Sequence, residues 1–171
     1  DLLPENGVYP DSVSTEHYLG QLDGFLSGPV AISITKYSEA DGLMILVADE
    51  TNNRIQRVPY FSSYNNPLSP ITDVTQPIAL TTTLNYTWII EEEGPVRYFD
   101  TFDASSSNIV ILEGLTNSKP RVIAGDYLKD AVWIGDNTEN KIIKARHLNG
   151  DIINESSITV INFVEDIVVN R

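Results

Sequence analysis

The sequence predicts an all-β protein assembled from repeated units of four short antiparallel strands, and three observations carry that prediction. Apolar residues come in short runs rich in Val, Ile, Tyr and Thr, broken by Gly, Asn, Asp or Pro, which is the pattern of strands and turns. No window sustains the i, i+3, i+4, i+7 stripe of an amphipathic helix. Third, A-D-E-T-N-N-R-I-Q-R at 48–57 returns as G-D-N-T-E-N-K-I-I-K at 135–144.

Asp49 aligns with Asp136, and 136 − 49 = 87 residues is two periods of about 43–44. A middle copy is therefore due near residue 92. There, residues 88–98 keep an acidic turn between two apolar runs but lack the Thr and Asn. Pro29, Pro77 and Pro120 each open a short strand ahead of a copy, and the L-D-G-F at 22–25 and L-E-G-L at 112–115 precede two of them. The last repeat divides into strands at 120–126, 131–135, 141–147 and 157–161. Four short antiparallel strands in each period of about 40–45 residues define a blade of a β-propeller. Blades are expected at 29–75, 76–119 and 120–162. A fourth blade is split between 163–171 and 1–28, with its first strand at 164–169 and later strands at 7–10 and 17–22. About four blade equivalents leave three forms open: a closed small ring, a fragment of a six-bladed ring, or a ring or filament completed by another chain.

Composition narrows the function classes. Eleven basic and 24 acidic residues give a net charge of −13, which repels nucleic-acid backbones and anionic membrane surfaces. No apolar run approaches the ~20 residues of a spanning helix. Cysteine is absent, so disulfides, thiolate nucleophiles and Cys-based metal sites are excluded. The chain opens on Asp1, which is read as a processed or trimmed end. Asn85 and Asn154 head N-x-S/T triplets, both expected in turns and open to glycosylation.

The repeat motifs resemble the NHL and YWTD repeat propellers. Residues 46–55, L-V-A-D-E-T-N-N-R-I, are similar to the NHL core, in which a strand ending in Asp is followed by an Asn-Arg-Ile strand start. V-W-I-G-D at 132–136, then Lys141-Ile142 and L-N-G-D at 148–151, is closer to the YWTD version. The resemblance covers the first and third blades well and the second weakly. It implies an extracellular or otherwise exposed recognition propeller, usually of six blades. Protein or glycan partners, secretion, and homo-oligomers formed by terminal strand exchange follow as expectations, with no nucleic-acid or membrane partner.

Asp49, Asn53, Asp136 and Asn140 are expected to be structural turn caps, because Asp and Asn side chains hydrogen-bond the backbone of tight turns. Tyr60, Phe61 and Tyr64 form a loop suited to partner contact, since recognition concentrates on loops. Catalytic residues are not assigned: His17 and His147 have no carboxylate or serine at a recognisable spacing. The E-G-P-V at 93–96 resembles an element of metal-dependent, lactonase-type six-bladed propellers, which gives a hydrolase alternative. In that alternative Glu93 and Asp126 are the candidate ligands and calcium is the candidate metal; the leading reading needs no cofactor. The register sets Glu93 after a second strand rather than before a first, which argues against the alternative. The run at 91–93 reads as an exposed hairpin tip, and Trp88, Trp133, Tyr98 and Phe99 as packing between blades.

Overall fold

The computed structural model describes residues 25–38, 42–60, 68–93, 96–101, 110–111, 119–138, 140–148, 151–159 and 166–169. The described strands make three four-stranded antiparallel sheets in sequence order. The first blade holds β1 (Pro29–Ser38), β2 (Gly42–Asp49), β3 (Arg54–Tyr60) and β4 (Leu68–Ile71). The second holds β5 (Pro77–Thr82), β6 (Tyr86–Glu91), β7 (Val96–Asp100) and β8 (Val110–Ile111). The third holds β9 (Pro120–Asp126), β10 (Ala131–Asp136), β11 (Lys141–Leu148) and β12 (Asp151–Thr159). β1 packs beside β5 and β5 beside β9, so the first strand of each blade lies toward its neighbours' first strands.

Register shows that the repeat is structural as well as textual. Pro29 pairs with Asp49, Pro77 with Glu91 and Pro120 with Asp136, and in each blade a one-residue irregularity follows the proline. Proline cannot donate to the ladder, so a bulge at the mouth of the strand accommodates it. This register makes Glu91 the counterpart of Asp49 and Asp136.

Side chains alternate across each sheet, and each blade buries one face against the next. Met44, Leu46, Ala48 and Ile55 of the first blade pack on Leu80, Ile89 and Phe99 of the second. Trp88, Ile90, Val96 and Tyr98 of the second pack on Val132, Ile134, Ile143 and Ala145 of the third. The first strands also lock together through polar atoms. The hydroxyls of Ser33 and Thr82 lie 3.0 Å apart, and the Gly125 amide donates to Thr81 Oγ1 at 3.0 Å. The second lock needs glycine, because a Cβ at 125 would lie 2.5 Å from the Thr82 carbonyl oxygen. Gly125→Ala is therefore expected to destabilise the protein by about 1–3 kcal/mol through overpacking, measured as a lowered urea midpoint.

Several expectations need correction. The last strand of the third blade runs over Asp151–Thr159 rather than 157–161. Asn154 consequently lies within β12, paired with Ala145, and not in a turn. Residues 166–169 are not in a strand. Glu91 is buried at 4% exposure rather than part of an exposed tip, because its place at the end of β6 sets it in the blade's proline-side network. Trp133 is only half-buried, while Trp88, Tyr98 and Phe99 are core. Residues 1–24, with the proposed strands at 7–10 and 17–22, lie outside the described residues, as do Phe61 and Tyr64; Tyr60 ends β3.

Candidate interaction faces

At the proline end of each blade, an acidic residue closing the second strand ties down the segment that enters the first strand. Asp49 Oδ1 accepts the Ser27 amide at 2.7 Å, and Glu91 Oε1 accepts the Thr75 amide at 2.8 Å. Ser27 and Thr75 each stand two residues before the strand-opening proline. In the third blade the link runs through a hydroxyl: the Thr138 amide donates to Asp136 at 2.9 Å, and the Lys119 amide donates to Thr138 Oγ1 at 2.8 Å. The residue between amide and proline takes a left-handed backbone in the first two blades, with φ 72 at Gly28 and φ 42 at Gln76. Asn53 and Asn140 both have φ 51, a region asparagine tolerates better than other non-glycine residues. Asn53 also accepts the Gln76 amide at 2.7 Å, joining the first blade's hairpin to the second blade.

Charges extend this edge across the second and third blades. Arg121 pairs with Glu92 and Lys119 with Glu93, the latter at 3.1 Å. The bond from Arg121 holds the Glu92 carboxyl below its ordinary pKa range. Glu93 is thus exposed and paired with a lysine of the next blade, and Asp126 lies 3.6 Å from Lys129. Among the described residues no three His, Asp or Glu side chains group as a metal site. At the opposite edge, the Asn85 side chain donates to Asp130 Oδ2 at 2.5 Å. Nearby, Tyr86 stacks on His147 with ring centroids 4.2 Å apart, and burial raises the Tyr86 pKa.

Among the described residues, exposed apolar side chains gather on both the first and the third blade. On the first blade, Ile32 is 64% and Ile34 57% exposed, with Val30 and Leu43 beside them. Register matches Ile32 to Leu80 of the second blade, which is 6% exposed against the first. On the third blade, Trp133, Ile142 and Ile158 line a cleft of about 330 Å³ together with Ile167, Val168 and Val169. Their first-blade counterparts Leu46, Ile55 and Ile71 are fully buried under the second blade, whereas Ile158 is 54% exposed. Reading the sequence alone missed these faces, although the repeat alignment held the signal. A position buried in one blade keeps its apolar residue in the next, whether or not a neighbour covers it.

No protein-family model matches the chain, and no curated protein matches it. Solved structures do. The computationally designed Ika4 protein is 17% identical with a TM-score of 0.65, covering 88% of this chain and 84% of its own. Saccharomyces cerevisiae Sqt1 is 11% identical with a TM-score of 0.60, covering 81% of this chain and 37% of its own. A candidate 6-phosphogluconolactonase from Bacteroides uniformis is 17% identical with a TM-score of 0.53, over 75% of this chain and 40% of that one. The chain thus spans about two-fifths of the two natural proteins. A WD40 domain, from Toxoplasma gondii coronin, also matches, with a TM-score of 0.58 and 8% identity. With three successive four-stranded blades, this is a partial β-propeller.

Proposed function

We propose that the protein is a non-enzymatic recognition or assembly propeller of the NHL/YWTD type, working outside the cell and engaging protein or glycan partners. The observation that carries this reading is the apolar surface that the described residues expose on the first blade and at the cleft of the third. Contiguous exposed apolar surface on a folded protein marks an interaction site more often than isolated exposed side chains do. The Asp-Thr-Asn-Arg-Ile hairpin of the first blade supports the repeat type, and we assign Asp49, Asn53, Asp136 and Asn140 the role of turn caps. The acidic balance favours partners that are neutral or basic.

Ile32→Glu tests this reading. Because Ile32 is exposed, the substitution should leave the dilute protein's urea midpoint within the ~0.5 kcal/mol of an ordinary surface change. Partner binding should weaken about tenfold or more, because the new charge must be desolvated. Unfolding of the dilute variant would show instead that the face is already covered. Calcium-dependent lactone hydrolysis, lost in Glu93→Gln, would replace this reading with the hydrolase.

A further inference from the structure

We propose that the cleft between the first blade's hairpin and the segment entering the second blade binds an arginine side chain of a basic partner protein. The site uses none of the apolar residues described above, and its test is independent of them.

The cleft encloses about 410 Å³ and is lined by Glu50, Thr51, Asn53, Thr75 and Gln76. Glu50 is half-buried and the other four are exposed. The next junction shows what the equivalent place holds. The Glu50 amide donates to the Gly28 carbonyl and the Glu92 amide to the Gln76 carbonyl, each acceptor standing one residue before a strand-opening proline. Glu50 and Glu92 are therefore equivalent, as are Thr51 and Glu93. On the facing blades, Gln76 is equivalent to Lys119 and Ile78 to Arg121, because Pro77 and Pro120 keep the same register.

In the second junction two cations cross from the third blade to the acidic hairpin of the second. Arg121 bonds Glu92, and Lys119 lies 3.1 Å from Glu93. The first junction keeps one carboxylate and replaces both cations, one by a neutral amide and the other by an apolar side chain. Among the described residues no lysine or arginine pairs with Glu50. Of the chain's 11 lysines and arginines only Arg171 lies outside the described residues, and residues 1–24, which lead into the first blade, contain neither. The cation that the second junction draws from its own chain is thus left for a partner to supply.

A guanidinium suits the lining better than an ammonium. Its planar fork of donors meets a carboxylate through two bonds at once and has further N–H groups for the hydroxyls of Thr51 and Thr75. One carboxylate does not make a calcium site, which gathers about six to eight oxygens. The net charge of −13 steers a basic protein toward this surface and speeds encounter.

NMR titration of isotope-labelled protein with acetyl-Gly-Arg-Gly-amide tests the proposal, with the citrulline peptide as its uncharged match. The amide resonances of Glu50, Thr51 and Gln76 should shift together and saturably with the arginine peptide, more weakly as salt rises, and not with the citrulline peptide. Glu50→Gln should weaken binding about tenfold, as expected for losing hydrogen bonds to a charged group. Gln76→Lys should weaken it too, by placing an internal ammonium where Lys119 stands in the next junction. Both positions lie outside the core, so both variants should keep the wild-type urea midpoint within ~0.5 kcal/mol. Glu93→Gln changes the net charge by the same single unit and should leave binding unchanged. Equal loss in Glu93→Gln overturns the cleft in favour of general acidity, and equal binding of the citrulline peptide overturns recognition of charge. Absence of binding also overturns the proposal. Binding that appears only in Arg171→Gln makes the chain's own arginine the occupant and overturns the partner's.

Discussion

Asp49→Ala is expected to lower stability by about 3–5 kcal/mol, the cost of removing one member of a buried ion pair. Asp49 is fully buried and accepts the Arg54 Nε–H at 2.8 Å, the Asn52 side-chain amide at 2.8 Å and the Ser27 amide at 2.7 Å. Arg54 is 5% exposed at its side chain, and it also donates to the Phe25 carbonyl. Deleting the carboxylate leaves a guanidinium in a place where water cannot replace the lost charge. It also takes the acceptor from the Ser27 amide, leaving residues 25–28 held by the Glu50, Thr51 and Arg54 donors alone. Asp49→Asn restores one acceptor oxygen at most and turns an NH2 toward other donors, so it should recover only part of the loss. Adding Arg54→Met to Asp49→Ala should regain stability over the single variant, because no unpaired charge then remains buried. Urea denaturation reads all three, with the midpoint moving and the slope unchanged. If Asp49→Ala shifts the midpoint by less than 1 kcal/mol equivalent, Asp49 is not a cap that the fold depends on.

The same network shows which parts of the molecule were legible in the sequence. Asp49 and Asp136 could be found because their hairpins kept the Asp, Thr and Asn that tight turns favour. The second blade keeps the geometry with different letters: Glu91 reaches the Thr75 amide, and Arg97 bonds its second oxygen at 3.0 Å. A longer carboxylate and an arginine displaced along the strand do the same task, so letter matching sees only a degraded copy. Three prolines at the mouths of the first strands were the stronger signal, because a missing N–H constrains the ladder wherever it falls. Burial at the ends was the least legible feature. Alternation of apolar residues predicts which side of a strand seeks cover. It does not predict whether a neighbour supplies it, so Trp88 and Trp133 read alike in sequence and differ in the fold.

That difference sets the second large effect. Trp88→Ala is expected to cost about 3–5 kcal/mol, in the range of large aromatic truncations in a packed core. The indole is fully buried between the second and third blades, its ring 5.0 Å from that of Tyr98, and its N–H donates weakly to Thr83 Oγ1 at 3.4 Å. The cavity would open at the junction that couples two blades, where each contacts only its neighbours. Repeat stability is a sum of blade and junction contributions, so a weakened junction should also cost cooperativity. The expected unfolding curve has a lower slope or two steps, with the third blade melting first. Trp133→Ala removes the same side chain from the equivalent position, but there the ring is half-buried, with Lys144 Nζ 5.5 Å from its centroid. Its loss should scarcely move the midpoint of the dilute protein.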